Sequence, residues 1–523
     1  MFEDAKSIFA KFKSLRGLPF FVVRLFMKKL PRLAPRDWIG LSLVLIGFVL
    51  RLRQYLANRS LWLDEAMLTN NILSRSFGGL FQQLDHNQGA PIGFLLTQKF
   101  ITLMLGDSEY ALRLFPLVTG ILSLALMFAL TRKISSAVAG NLALGFFAVA
   151  PSLVYYSSEV KQYSSDVAIA LGLSLLYIKY AQAEIKLRDA FLIAFAGAVA
   201  VWFSHPAFFV VGALGLALFI PAVIAKDKPK IITLLIIAII WFLNLGILYT
   251  LNLRQLSTHQ FFLDFWHVGF IPHDSSALTW MAYSLQAPFR DLLDLQTSYI
   301  VTVFLLLIGY VGLTRRNPRF GFFLLAIFFL SLFASYLTLY PFAGRMILFL
   351  APVLILFLAE GTEAIAGLFA RSTVLAWIVR IFIAVYLLFG PVSVTVENFV
   401  TPKYQEHVRP TMEYLRDYRK DGDLVYVYYW AEHAVRYYAP KYGMDMSEFI
   451  TGADYHDNPM AYDAELESLR GHERVWFLFS HVYENGDFNE RDFILRLLDS
   501  MGEQQRQFRV PGTSVYLYLY DLR

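Results

Sequence analysis

The run IITLLIIAIIWFLNLGILYTLN, at residues 231–252, contains 22 residues and no charged side chain. At about 1.5 Å per residue, a helix of this length rises about 33 Å, and the hydrocarbon core of a bilayer is about 30 Å thick. The run therefore predicts a membrane-spanning helix. The rest of the chain agrees, because 57% of the 523 residues are hydrophobic and 17% are charged. Soluble domains carry about a quarter charged residues, so a soluble globule is excluded.

Further apolar runs predict a polytopic α-helical membrane protein with about eleven transmembrane helices. The eleven runs lie at residues 38–56, 111–130, 138–155, 165–182, 189–204, 206–225, 231–252, 298–313, 320–340, 346–366 and 373–391. Cysteine is absent from the sequence, which excludes disulfides, thiol catalysis and thiolate metal sites.

Basic residues predict the orientation of these helices. They cluster in alternate short loops, and such loops face the cytoplasm. The clusters are Arg132/Lys133, Lys186/Arg188, Lys226/Lys228/Lys230, Arg315/Arg316/Arg319 and Arg371. The N-terminus is therefore expected in the cytoplasm, and residues 57–110, 253–297 and everything from 392 onward are expected on the outer side of an inner (cytoplasmic) membrane. Because the net charge of +5 resides in these loops and at the N-terminus, nucleic-acid binding is excluded as a function.

Three domains follow from this organisation. Residues 1–36 carry nine basic residues among Phe and Leu, which predicts a cytoplasmic amphipathic segment lying on an anionic leaflet or a disordered basic tail. Residues 37–391 are predicted to form a transmembrane domain that includes the outer segments 57–110 and 253–297. Residues 392–523 predict a small extracytoplasmic α/β domain. Its strands are predicted in DLVYVYYW, RVWFLFS and SVYLYLY, and its helices at 431–439, 460–470 and 490–501.

Two acidic motifs in the first outer segment are candidates for chemistry. SLWLDEA, at residues 60–66, places Asp64 and Glu65 beside Trp62, and LDHNQGAP, at residues 84–91, contributes Asp85 and His86. Carboxylates that converge from one folded loop can act as a general base and as an orienting or metal-binding group. The alternative is that they are solvated loop charges.

These motifs also carry a resemblance to a known family. SLWLDEA, LDHNQGAPIGFLL and GDSEYALRLFPLVTG, the last at residues 106–120, resemble successive signatures of the protein-mannosyltransferase-like branch of the GT-C glycosyltransferases, which includes bacterial aminoarabinose transferases. That branch has a D-H-x-P-P-L segment where this chain has Ala90 and Pro91 and is lengthened by Gln88 and Gly89.

The resemblance implies an enzyme that transfers a hexosyl or pentosyl group from a polyprenyl-phosphate donor to a lipid, glycan or protein acceptor on the non-cytoplasmic face. The family's catalytic aspartate maps onto Asp64. A hydroxyl nucleophile needs a carboxylate to take its proton, and direct displacement with one base predicts inversion at the anomeric carbon. Glu65 and Asp85 are the accompanying carboxylates.

Cations are expected to hold the carrier phosphate. YYSSEVKQYSSD, at residues 155–166, resembles a family segment and supplies Glu159, Lys161 and Tyr163, with interfacial anchoring as the alternative role. Arg345, in PFAGRM, resembles a family arginine whose planar donors suit phosphate oxygens. His86 and His205 complete the substrate-binding candidates, His205 because the short run before it leaves the Ser204–His205–Pro206 turn below the membrane surface.

Other readings remain at this point. Oxygen and histidine ligands leave Mg, Mn or Zn open, although no metal-ligand spacing is diagnostic. An O-antigen ligase or polymerase would place its acidic motifs between late helices, and a transporter or flippase would show repeats and mid-membrane charges. Arg380 is expected to pair with Glu360 or Glu363 inside the membrane domain.

Overall fold

The computed structural model describes residues 35–254, 259–284 and 286–523. Residues 1–34 of the predicted cytoplasmic segment lie outside the described residues. Two hydrophobic cores organise the described part, one within the bundle of apolar helices and one around a C-terminal sheet.

The membrane half consists of helices joined mostly by short connections. Its first helices are α1 (Pro35–Leu56), α2 (Leu63–Ser74), α3 (Ile92–Leu105), α4 (Glu109–Ile134), α5 (Ala137–Val149), α6 (Pro151–Tyr155), α7 (Tyr163–Tyr180) and α8 (Leu187–Phe203). Its later helices are α9 (Ala207–Ile224), α10 (Lys228–Leu248), α11 (Gln260–Phe265), α12 (Ala277–Ser284), α13 (Tyr299–Arg316), α14 (Pro318–Tyr336), α15 (Ala351–Gly367) and α16 (Thr373–Val400).

Each predicted apolar run coincides with a helix. Within the described ranges, eight helices are by themselves long and apolar enough to cross a membrane. The α5–α6 pair would make a ninth span, bent by 57° where Pro151 follows the end of α5. The helices α7 and α8, with 18 and 17 residues, stand outside that set. The chain is therefore a multi-pass membrane protein.

The last membrane helix is longer than predicted. Helix α16 runs through Pro391 to Val400, so the predicted domain boundary at residue 392 falls inside it. Proline is tolerated in membrane helices because neighbouring groups satisfy the backbone it leaves free. The segment after the boundary, VSVTVENFV, continues the helix beyond the apolar run.

The C-terminal part is an α/β layer. Strands β1 (Leu424–Val427), β2 (Phe449–Thr451), β3 (Val475–Phe479), β6 (Glu503–Arg509) and β7 (Tyr516–Asp521) form a sheet in the order β2-β1-β3-β7-β6, and β4 (Glu484–Asn485) and β5 (Phe488–Asn489) form a small hairpin. The helices are α17 (Val408–Tyr418), α18 (Glu432–Tyr438), α19 (Ala461–Glu467) and α20 (Glu490–Met501). Strands β2, β1 and β3 are parallel, whereas β7 and β6 are antiparallel to their neighbours.

The sheet core extends into the first outer loop. Leu61, Ala66, Leu112 and Val160 belong to the same buried cluster as the strands. The Tyr438 hydroxyl accepts a hydrogen bond from the Leu61 amide at 2.8 Å. The C-terminal layer thus packs directly on the loop that carries the acidic motifs.

Candidate active site

Asp64 lies in the first turn of α2, which begins directly after Trp62. The first amides of a helix have no partner inside it, and they favour nearby negative charge. The Leu63 amide is satisfied by Glu406, whose Oε2 accepts its hydrogen bond at 3.0 Å. A buried carboxylate from the far end of the chain therefore stabilises the start of the helix that presents Asp64.

Two cations hold the Asp64 carboxylate. Arg345 donates to Oδ2 of Asp64, and the Lys161 ammonium lies 3.9 Å from the same oxygen. Burial raises the pKa of Asp64, but the charges of Lys161 and Arg345 outweigh this effect, so the pKa lies below its usual value. Because the side chains of Asp64 and Arg345 remain 19% and 20% exposed, an ionised carboxylate and its cation are open to a ligand.

Aromatic rings fix the orientation of Arg345. Gly344, at φ 48°, turns the backbone into the 3₁₀ helix Gly344–Leu350, a conformation that glycine adopts without strain. The guanidinium carbon then lies 5.5 Å from the Trp62 ring centre and 5.8 Å from that of Tyr163. Within the described part of the chain its Nε is buried and has no hydrogen-bond partner, so this donor is left unsatisfied.

Lys161 links the second motif to Asp64. Its ammonium donates to Gln88 Oε1 at 2.7 Å, and burial lowers its pKa. Through this hydrogen bond Gln88 contacts the site directly. Gln88 is also one of the residues that lengthen this segment relative to the family pattern. His86 contributes through its backbone carbonyl, which accepts from Gln88 Nε2 at 3.4 Å.

Glu65 points away from Asp64 into a buried network. Its carboxylate accepts two hydrogen bonds from Arg113, at 2.9 and 2.6 Å, and one from the Val160 amide at 2.8 Å. Arg113 also donates to the carbonyls of Arg59 and Ser60. Glu65 thus ties the first outer loop to α4, and its carboxylate lies in a buried network and not beside Asp64.

Asp85 and His86 do not converge on Asp64. The Asp85 backbone is bonded in both directions to the Asn71 side chain, and its carboxylate pairs with Arg75 at 2.8 Å. Asn71 is about 10 Å along α2 from Asp64, at 1.5 Å per residue. The His86 ring instead meets the His433 ring edge-on at 4.2 Å. The expected pair of converging carboxylates is therefore separated by two helical turns.

The remaining candidates divide between the site and its surroundings. Glu159 is buried with its carboxylate 3.8 Å from Arg59. Burial and the neighbouring Glu65 raise the pKa of Glu159. Tyr163 contacts Arg345, as described. His205, in the turn after α8, pairs with Asn252, and burial lowers its pKa to about 4, so it is neutral at physiological pH.

A divalent metal does not fit these residues. In residues 35–254, 259–284 and 286–523, Asp, Glu and His side chains form no group of three that could hold an ion. Lys161 and Arg345 would also repel a cation from Asp64.

The C-terminal layer contributes a residue that the sequence did not single out. His481 Nδ1 is 2.6 Å from Glu406 Oε1. Burial lowers the pKa of His481, but Glu406 and Asp64 raise it further, so the net direction is upward. Glu406 thus connects His481 to the start of α2. Only the position of these residues in space reveals this, because more than 340 residues separate Leu63 from Glu406.

Part of the chain matches the sequence model of a known family. Residues 89–246 match the family model of dolichyl-phosphate-mannose-protein mannosyltransferase. No curated protein is significantly similar in sequence.

Solved structures share the fold. The apo crystal structure of ArnT from Cupriavidus metallidurans superposes with a TM-score of 0.51 and 11% identity, covering 92% of this chain and 97% of that one. Two structures of an Archaeoglobus fulgidus oligosaccharyltransferase each give a TM-score of 0.50. The complex with Zn and sulfate has 13% identity and covers 83% of this chain and 67% of that one. The AglB complex with an inhibitory peptide and a dolichol-phosphate has 12% identity and covers 93% of this chain and 74% of that one. The matched sequence and the shared fold confirm the resemblance seen in the motifs, and the chain is a multi-pass membrane protein similar to the GT-C glycosyltransferases.

Proposed function

We propose that the chain is a glycosyltransferase that moves a sugar from a polyprenyl-phosphate donor to an acceptor hydroxyl on the non-cytoplasmic face of the inner membrane. The observation that carries the proposal is the ionised Asp64 held between Arg345 and Lys161 on the first outer loop. The matched family is described by a dolichyl-phosphate-linked donor, and an AglB neighbour was solved with dolichol-phosphate, which supports a lipid-phosphate donor here.

The two cations are suited to the donor phosphate. Arginine binds phosphate oxygens through parallel donors, and lysine adds a compact charge. A phosphate that engages Arg345 and Lys161 takes the place of Asp64 as their anionic partner. The same contacts stabilise the charge that develops on the leaving phosphate as the glycosidic bond breaks.

Donor binding also prepares the base. While Asp64 is paired with Arg345 and Lys161 its pKa is low, and a weakly basic carboxylate is a poor proton acceptor. When a phosphate draws these cations away, the pKa of Asp64 rises. The acceptor oxygen then forms a bond to the anomeric carbon as its proton passes to Asp64. The bond to the carrier phosphate breaks with its electron pair on the phosphate oxygen, and the configuration inverts.

The test is Asp64→Asn, assayed with a synthetic polyprenyl-phosphate sugar. An amide has nearly the same shape but does not take the proton, so transfer should fall by about 10²- to 10⁴-fold while donor binding persists. Asp107→Asn is a matched control from the same loop, because the Asp107 side chain is 56% exposed and pairs with Lys441. Transfer by Asp64→Asn at the wild-type rate would refute the role of Asp64. Donor translocation without transfer would instead indicate a flippase.

A further inference from the structure

The C-terminal sheet has the topology that creates a ligand crevice. Strands β2, β1 and β3 are adjacent and parallel. The chain leaves β1 towards β2 on one side and then crosses to β3 on the other. In open α/β sheets, ligands bind beyond the carboxyl ends of the strands where the connections diverge in this way. Here that point lies between β1 and β3.

The residues at this point are aromatic and polar. Trp430 follows β1 and His481 follows β3, and their rings lie 5.7 Å apart. Tyr429 stands beside Trp430 with ring centres 5.5 Å apart, and Tyr483 lies 5.1 Å from the ring of His456, which follows β2. These side chains are all partly exposed. All three strands thus contribute rings to one edge.

Two features at this edge are not explained by the packing of the fold: a buried hydroxyl without a hydrogen-bond partner and a residue with a positive φ. The Ser480 hydroxyl is fully buried and has no hydrogen-bond partner in the described part of the chain. His481 has a φ of 55°, which is uncommon for a residue other than glycine and clusters at functional sites. Buried polar groups are otherwise paired almost everywhere.

The same edge adjoins the catalytic loop. Glu406 bonds to His481 through one carboxylate oxygen and to the Leu63 amide through the other. The Asp64 charge is close enough to His481 to help stabilise its protonated form. A molecule that lies against Trp430 and His481 is therefore next to the start of α2.

We propose, resting on the proposed function, that this crevice binds the acceptor and that the acceptor is a saccharide. Rings with polar edges pack against the apolar faces of sugars and bond their hydroxyls. Asp454 and Asp457 flank His456 at 2.5 and 3.3 Å. Together with Glu406 they make the edge acidic, which favours a neutral hydroxyl-rich ligand over a phosphate or another anion.

The experiment measures binding of the full chain in detergent to an array that carries saccharides and unglycosylated peptides. The wild type should bind at least one saccharide, and Trp430→Ala should weaken that binding by about tenfold or more. Trp430→Phe, which keeps an aromatic face, should retain most of it and shows that the site still folds. Tyr418→Ala is the matched control, because Tyr418 is an exposed aromatic residue whose carbonyl bonds Arg474 at the opposite end of β3.

The outcomes separate the acceptor site from the catalytic proposal. Binding of peptides in place of saccharides, no saccharide binding by the wild type, or equal weakening by Tyr418→Ala would overturn the inference. Saccharide binding that depends on Trp430, in a protein that transfers no sugar, would refute the proposed function and leave the crevice assignment standing.

Discussion

Asp64 and Glu65 are consecutive carboxylates with opposite surroundings. Neighbouring positions on a helix are about 100° apart around its axis, so one faces the open site and the other the interior. Asp64 is partly exposed beside two cations, whereas Glu65 is completely buried against Arg113. One residue of spacing thus separates a group that a substrate can reach from one that holds the loop to α4.

Arg345 tests the donor site. Arg345→Lys keeps the charge but loses the planar pair of donors, so polyprenyl-phosphate binding should weaken by about 1 to 3 kcal/mol. Arg345→Ala should weaken it at least as much. Titration with a fluorescent polyprenyl phosphate measures both. Arg316→Lys is the control, because Arg316 pairs with Glu360 at the other end of the membrane domain. Unchanged affinity in both Arg345 variants would remove this residue from the donor site.

Glu159 should make stability depend on pH. Its folded pKa is raised, so the folded state holds a proton that the unfolded state releases at about pH 4.3. The resulting stability is complete below that value and is lost as pH rises through the raised pKa. As the pH rises from 5 to 8, the free energy of unfolding of Glu159→Gln should therefore increase by about 1 to 3 kcal/mol relative to that of the wild type. The variant should show this as a higher melting temperature.

Glu65→Gln provides the contrasting variant. Glu65 is ionised against Arg113, and breaking a buried pair costs about 3 to 5 kcal/mol, so this variant should be less stable at both pH values. If the melting temperatures of Glu159→Gln and the wild type differ by the same amount at pH 5 and at pH 8, the pKa of Glu159 is not raised and the prediction is wrong.

Part of the site could be predicted from sequence. Motif resemblance pointed to Asp64, Lys161, Tyr163 and Arg345, and the structure places these four together. The motif resemblance could not place Asp85, because the distance between Asp85 and Asp64 is set by hydrogen bonds from the Asp85 backbone to the Asn71 side chain. Glu406 and His481 lie outside every motif, and Gln88 marked only a departure from the family pattern, so their contacts across the fold could not be read from the sequence.

At the scale of elements, glycines allow the membrane helices α13 and α15 to pack closely against each other. At Gly309 in α13 and Gly361 in α15, an added Cβ would overlap a backbone carbonyl oxygen of the facing helix. Small residues allow such close packing of membrane helices. On the same helix α15, Glu360 pairs with Arg316 of α13, and Glu363 accepts two hydrogen bonds from Arg380 of α16 at 2.9 Å.

Gly361→Ala should force α13 and α15 apart. Overpacking of this kind typically costs about 1 to 3 kcal/mol, measurable as a lower melting temperature in detergent. Gly312→Ala is the matched control on α13, because its Cβ would meet only Ala364, at 3.7 Å. Equal stability of the Gly361→Ala variant and the wild type would contradict the close approach.

Elements with strong periodicity were predictable, and polar ones were not. The three predicted strands correspond to β1, β3 and β7, and the three predicted helices to α18, α19 and α20. Strand β6, with the sequence EQQRQFR, is an exposed edge strand and shows no apolar alternation for a sequence pattern to detect. Strand β2 has three residues, too few to form a recognisable period.

At the scale of the whole molecule, the distribution of basic loops predicts orientation. A periplasmic reporter fused after Arg523 should be active, and one fused after Lys133 should be inactive, because Lys133 lies in the last turn of α4, beside a basic loop that we expect in the cytoplasm. Alkaline phosphatase activity normalised to expression measures both. Activity after Lys133, or none after Arg523, would place Asp64 on the wrong side for a donor presented outside the cytoplasm.

The hydrogen bond from the Leu63 amide to Glu406 determines when the site is completed during biosynthesis. Helix α2 leaves the ribosome early, but Glu406 is made 343 residues later, after the last membrane helix. Its partner His481 follows still later. A nascent chain that has already inserted all its helices therefore still lacks the cap on α2, which forms only after the C-terminal segment has been made and has folded.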